Sequence, residues 1–194
     1  MKKLILSVLL IPAVFSAQQT VSRDAEIANY VSQVSADSLK SHINKLVSFG
    51  TRHTMSSTTD AKKGIGAARN WVLSKFKNYA KNSDGRMEVF LQSQTIQPDG
   101  KRINQPTDLG NAIAILRGTD PNDKRIFMIG GHLDSRVSDV MNAKDFAPGA
   151  NDDGSGVGAV IESARILSQS KFPATIVFVA FSGEEQGLLG AKML

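Results

Sequence analysis

Residues Ala174–Phe181 read ATIVFVAF, a run with no charged side chain and a single hydroxyl. A strand with one wet face alternates apolar and polar residues, so a nearly continuous apolar run suits a strand covered on both faces. That requirement constrains the chain more than any other feature, because it demands layers packed on a sheet. A chain of 194 residues is long enough for one domain with a real core. It contains no cysteine. Disulfides, thiolate nucleophiles and Cys-ligated zinc are thereby excluded together, and any metal must be held by His, Asp or Glu. The net charge of +5 includes Lys2 and Lys3 at the start of the chain. So mild a surplus is no footprint for nucleic acid.

The first residues read as an address label. Met1-Lys2-Lys3 is a short positive region, Leu4 to Phe15 is apolar, and Ser16-Ala17 supplies small residues. This pattern predicts a secretory signal peptide over residues 1–17, cut after Ala17, and hence a secreted or periplasmic protein. The apolar run is too short to span a bilayer, and no other stretch is apolar enough to do so. No membrane partner is expected once the signal is removed.

Along the mature chain, Ser35 to Phe49 places Leu39, Ile43, Leu46 and Val47 on one helical stripe, closed by Gly50. A second helix is predicted from about Asp60 to Tyr79, weakened at its start by Gly64 and Gly66. The period then changes. Met87 to Gln92 alternates, Pro98-Asp99-Gly100 is a turn signal, and Ala112–Leu116 and Ile126–Ile129 are apolar runs of strand length. The polar segment Gly118 to Asp123 predicts a hairpin between those two runs. Gly156 to Gln169 is helical by its spacing of Val157, Val160, Ile161, Ala164 and Leu167. Helices, a meander and a strand–helix–strand unit make an α/β sandwich with a mixed sheet.

Acidic and imidazole groups cluster where predicted strands end. Gly130-Gly131-His132-Leu133-Asp134-Ser135 follows one strand, and Ser182-Gly183-Glu184-Glu185-Gln186-Gly187 follows the most apolar one. Between them, Pro148 to Gly156 (PGANDDGSG) leads into a helix. Sites in open α/β sheets form outside the carboxyl ends of strands, so the three segments are expected to converge at one sheet edge. Neutral imidazole is a good zinc ligand, and its second nitrogen needs an orienting partner. His132 and Asp134, two apart in an extended segment, share a face, so Asp134 can orient His132. The two oxygens of Asp152 could serve two metals. Of Glu184 and Glu185, one carboxylate could bind metal while the other holds the attacking water, provided the chain turns at Gly183. Asp153 fits a cap for the following helix. His42, on a helix, and His53, in a polar loop, read as ordinary surface or hydrogen-bonded histidines. Gly154-x-Gly156-x-Gly158 follows a polar loop rather than a strand, which argues against a dinucleotide site.

At these residues the chain resembles the co-catalytic zinc aminopeptidases of metallopeptidase family 28. GGHLDS, APGANDDGSGV and FSGEEQGLLG match in order and spacing, and Ser48 to Thr54 is similar to that family's N-terminal region. The resemblance implies a three-layer αβα sandwich with a mixed β-sheet. It implies a site with two zinc ions, in which His132 ligates one, Asp152 bridges both and Glu185 ligates the other. Glu184 would be the general acid/base and Asp134 the partner of His132. It also implies a cis peptide at Asp152-Asp153, peptide substrates and hydrolysis through a metal-activated water.

The family completes its site with an Asp after the next strand and a distant His. Leu194 follows Glu185 by nine residues, inside a helix expected from near Gln186. The sequence therefore reads as a signal peptide (1–17) and the N-terminal portion of a zinc peptidase catalytic domain (18–194). Its C-terminal part would be missing, the chain inactive alone, and an open edge would border Ala174–Phe181. Two other readings share the fold: a single-zinc, glutaminyl-cyclase-like acyltransferase and a non-catalytic binding domain. The adjacent Asp152-Asp153 and Glu184-Glu185 pairs favour the two-metal hydrolase.

Overall fold

The computed structural model describes residues 24–194; the expected signal peptide lies outside the described residues. Helix α1 spans Ala25–Ser32 and is capped by Asp24, whose carboxylate accepts from the N–H groups of Glu26 and Ile27. Helix α2 spans Ala36–Val47, with Ser35 as its cap, much as the spacing predicts. Helix α3 spans Gly64–Ala80. It starts later than expected because its first N–H groups are taken by the preceding loop. Gly64 donates to Phe49 O, Ile65 to Ser56 Oγ and Gly66 to Ser57 O. A Cβ at Gly66 would lie 2.3 Å from Thr58 O, so the glycine that weakens the helix also lets this loop lie against it.

Four strands follow: β1 (Met87–Ile96), β2 (Thr107–Leu116), β3 (Ile126–His132) and β4 (Thr175–Phe181), with α4 (Ser155–Leu167) between β3 and β4. The sheet order is β1-β2-β4-β3, antiparallel except for the parallel β3–β4 pair. The expected α/β fold with a mixed sheet is therefore present. The predicted hairpin between β2 and β3 is not, because β4 lies between them. The polar segment after β2 instead crosses the start of β4, where Thr119 N donates to Phe172 O (2.8 Å) and Gly118 N to Thr175 Oγ1 (3.2 Å). The most apolar strand takes the central position, where both its edges are hydrogen-bonded and both its faces covered.

It follows that β4 borders no open edge; among the described residues the unpaired edges belong to β1 and β3. The helix expected near Gln186 is also absent. Residues 184–190 turn back on the sheet, Leu188 adopts a left-handed φ of 61°, and only a 3-10 turn forms at Ala191–Met193. Of a layered sandwich, the described residues supply the sheet and one helical layer. Leu46 of α2, Ala68, Val72 and Phe76 of α3, and Val157, Val160 and Ile161 of α4 join Ala112, Ala114, Phe178 and Ala180 in one buried core. The opposite face carries a smaller cluster of Ile113, Val177 and Val179.

Candidate metal centre

The parallel β3–β4 pair places His132 opposite Phe181, so the segments after both strands leave the sheet side by side. Leu133 N donates to Phe181 O and ties them together. The third segment, Ala150–Gly154, is an irregular turn entering α4, and its Asp152-Asp153 peptide is cis. Asp153 joins this turn to both neighbours. Its Oδ2 accepts from His132 N (3.0 Å), and its Oδ1 caps the helix at Gly156 N (3.0 Å). The convergence expected from strand-end positions is thus realised at one edge of the sheet.

His132 is aimed by its ring. Nδ1 lies 3.1 Å from the backbone oxygen of Asp134; a carbonyl can only accept, so Nδ1 carries the proton and donates. That leaves Nε2 facing Asp152 Oδ1 at 2.9 Å, with Glu184 Oε2 at 3.9 Å. Burial pulls the His132 imidazole down, but the carboxylates of Asp134, Asp153 and Glu184 outweigh it and hold the ring above its ordinary value.

The Asp134 carboxylate does not orient His132, contrary to the expectation from their spacing. It is fully buried and lies 3.8 Å from His132 Nδ1, beyond hydrogen-bond range. It accepts instead from Glu184 N and Glu185 N (3.1 Å each) and from Thr54 Oγ1 (2.9 Å). Desolvation raises the Asp134 carboxyl, opposed by His132 and by these three donors. Gly183, with φ of 72°, makes the turn that brings both glutamate N–H groups onto Asp134. Asp134 therefore sets the ring of His132 through its backbone and the two glutamates through its side chain.

Glu185 faces elsewhere. Its Oε2 accepts from Arg136 Nε at 2.7 Å, and it lines a polar cavity of about 240 Å³ together with Asp152, Arg136, Val137 and Ser138. Among the described residues no complete group of three His, Asp or Glu side chains surrounds a common point. The donor set nevertheless fits zinc in type: an imidazole nitrogen whose far side is fixed by a carbonyl, with the carboxylate oxygens of Asp152 and Glu184 near it.

Two arginines escaped the reading of motifs. Arg136 continues the two-residue period of His132 and Asp134, a signal that was there to be used. Arg52 gave no such signal. It is buried and donates to four carbonyls: Leu133 O, Leu46 O, Pro148 O and Gly149 O. It thus binds the end of β3 to α2 and to the loop that presents Asp152. Burial lowers its guanidinium to about 10, with Asp134 and Asp153 opposing. His53 beside it is also buried, accepting from Met55 N and contacting Val140 O and Gln186.

The model of peptidase family M28 matches residues 111–194, the stretch that holds every one of these strand-end groups. A probable zinc metalloprotease of Pyrenophora teres f. teres is 49% identical over 172 residues, covering 88% of this chain and 37% of that protein. The segment that builds the site, residues 111–194, is the part that matches peptidase family M28. Among solved structures, the LapA aminopeptidase of Legionella pneumophila superposes with a TM-score of 0.66 at 22% identity, covering 100% of this chain and 46% of that one. A glutaminyl cyclase of Tannerella forsythia gives 0.58 at 23% identity, covering 77% of this chain and 47% of that one. At such identities the two structures share the fold of this chain. The chain spans well under half the length of the curated relatives it matches, 37% and 39% for two of them.

Proposed function

We propose that the protein is a secreted two-zinc aminopeptidase, with His132, Asp152 and Glu185 as zinc ligands and Glu184 as the general acid/base. The observation that supports this best is the approach of His132 Nε2 to Asp152 Oδ1 at 2.9 Å, with the Glu184 carboxylate 3.9 Å away. Secretion rests on the positive, apolar and small-residue pattern of residues 1–17. Zinc, when bound, supplies Lewis acidity toward the scissile carbonyl and toward an attacking water. Glu184 takes the proton from that water and passes it to the departing amine. Asp134, through two backbone N–H groups, holds Glu184 and Glu185 in register with His132. No side chain becomes acylated, so the nucleophile is water throughout.

In a zinc-loaded full-length enzyme carrying these residues, Glu184→Gln should keep its metal and lose about 10²–10⁴ in kcat on an aminoacyl-nitroanilide. His132→Ala should instead lower zinc content. An unchanged kcat for E184Q removes Glu184 from its role. Blocking the substrate's amino group by acylation should abolish turnover; equal cleavage of the blocked substrate would refute the aminopeptidase polarity.

A further inference from the structure

We infer that Arg136 is the positioning residue for Glu185: it holds one carboxylate oxygen so that the other is presented to the cavity shared with Asp152. The inference rests on the reading of Glu185 as a zinc ligand and adds to it the device that aims the ligand. The Glu185 main chain is pinned on both sides. Its N–H donates to Asp134 Oδ2 (3.1 Å), and its carbonyl accepts from Arg102 Nη1 (2.8 Å) across from the β1–β2 connection. With the backbone fixed, only side-chain rotation remains free, and Arg136 removes that freedom.

The manner of the contact matters. A guanidinium paired with a carboxylate frequently takes both oxygens in a two-pronged fork. Here the contact is single, from Arg136 Nε to Glu185 Oε2 at 2.7 Å. Nη1 is engaged elsewhere, donating to the carbonyls of Val137 (3.3 Å) and Ser138 (3.2 Å). Glu185 Oε1 has no hydrogen-bond partner among the described residues, and the Glu185 side chain lines the cavity of about 240 Å³. One oxygen is tied and one is left over. A carboxylate that ligates a metal through one oxygen commonly has the other hydrogen-bonded, and loss of such a partner typically costs 10–100-fold in metal affinity. The positive charge also offsets the repulsion among Asp152, Glu184 and Glu185, which would otherwise drive the ligands apart.

The test is zinc affinity of the metal-stripped protein by competition with a chromophoric chelator, for wild type, R136M, R136K, E185Q and the R136M/E185Q double variant. R136M should weaken the binding step that E185Q weakens, by about 10–100-fold. R136K should recover part of the loss, and the double variant should be no worse than E185Q alone. With cobalt in place of zinc, R136M should change the visible absorption band, which a merely structural role would leave alone. Wild-type protein that binds no zinc overturns the metal centre itself. Normal wild-type binding with R136M unchanged overturns the role of Arg136 alone. Tighter binding by R136M also overturns it, because Arg136 would then compete with the metal for Glu185.

Discussion

Two regions of the molecule invert the ordinary expectation about what lies inside. In the loop before α3, Arg52 and His53 are 1% and 0% exposed. On the edge strand β3, Ile126 and Phe127 are 66% and 53% exposed. The charged loop is buried because each guanidinium nitrogen of Arg52 meets a carbonyl, at Leu133, Leu46, Pro148 and Gly149, from three different parts of the chain. The apolar strand is exposed because its position is set by pairing with β4 on one side, with no strand on the other among the described residues. Burial of a polar group depends on partners, and burial of an apolar group depends on having a neighbour at all.

The largest effect expected from this contrast is at Arg52. Arg52→Met keeps much of the volume but leaves buried carbonyls without donors, and should cost more than about 3 kcal/mol in chemical denaturation. It should also loosen the Pro148–Gly149 turn that presents Asp152, lowering zinc affinity along with stability. A loss below 1 kcal/mol would show that the buried guanidinium does no structural service.

A buried acid gives the next largest effect. Glu162 of α4 is almost fully buried and accepts from Arg165, Ser35 N and Ser38 Oγ. Those bonds, led by Arg165, pull its carboxyl from 4.5 to about 2. A carboxyl lowered on folding stabilises above its unfolded value, so the contribution is complete above about pH 5 and is lost as the pH falls toward 2. Glu162→Gln should therefore destabilise by about 1–3 kcal/mol at neutral pH and flatten that acid limb. Equal pH dependence in both proteins would place the acid limb elsewhere.

The smallest effect is expected on the open edge. Phe127→Thr keeps β propensity and removes an exposed ring, so its effect on unfolding should stay within about 0.5 kcal/mol. A loss comparable to that at Arg52 would mean that the β3 edge is covered in solution.

Much of the site was legible because it sits at strand ends, where chain direction alone decides which loops meet. His132, Asp152 and Glu184 come together as the order of the three motifs implied. The β2–β3 pairing was misread because short polar segments look alike whether they close a hairpin or cross to a more distant strand. Spacing puts the side chains of His132 and Asp134 on one face, but the Asp134 carboxylate stands 3.8 Å from the ring and does not orient it. Its backbone oxygen holds the ring, and its carboxylate serves residues fifty positions later.

The sequence by itself determined the central strand, through ATIVFVAF, and the chemical types gathered at the sheet edge, through the absence of cysteine and the three acidic or imidazole motifs. Only the tertiary structure decided that β4 separates β2 from β3, that Arg52 is interior, and that Arg136 holds Glu185. The reason is range. Periodicity and strand-end motifs are local properties of a few neighbouring residues, whereas strand order and the hydrogen-bond partners of a buried charge depend on segments brought together from far apart in the chain.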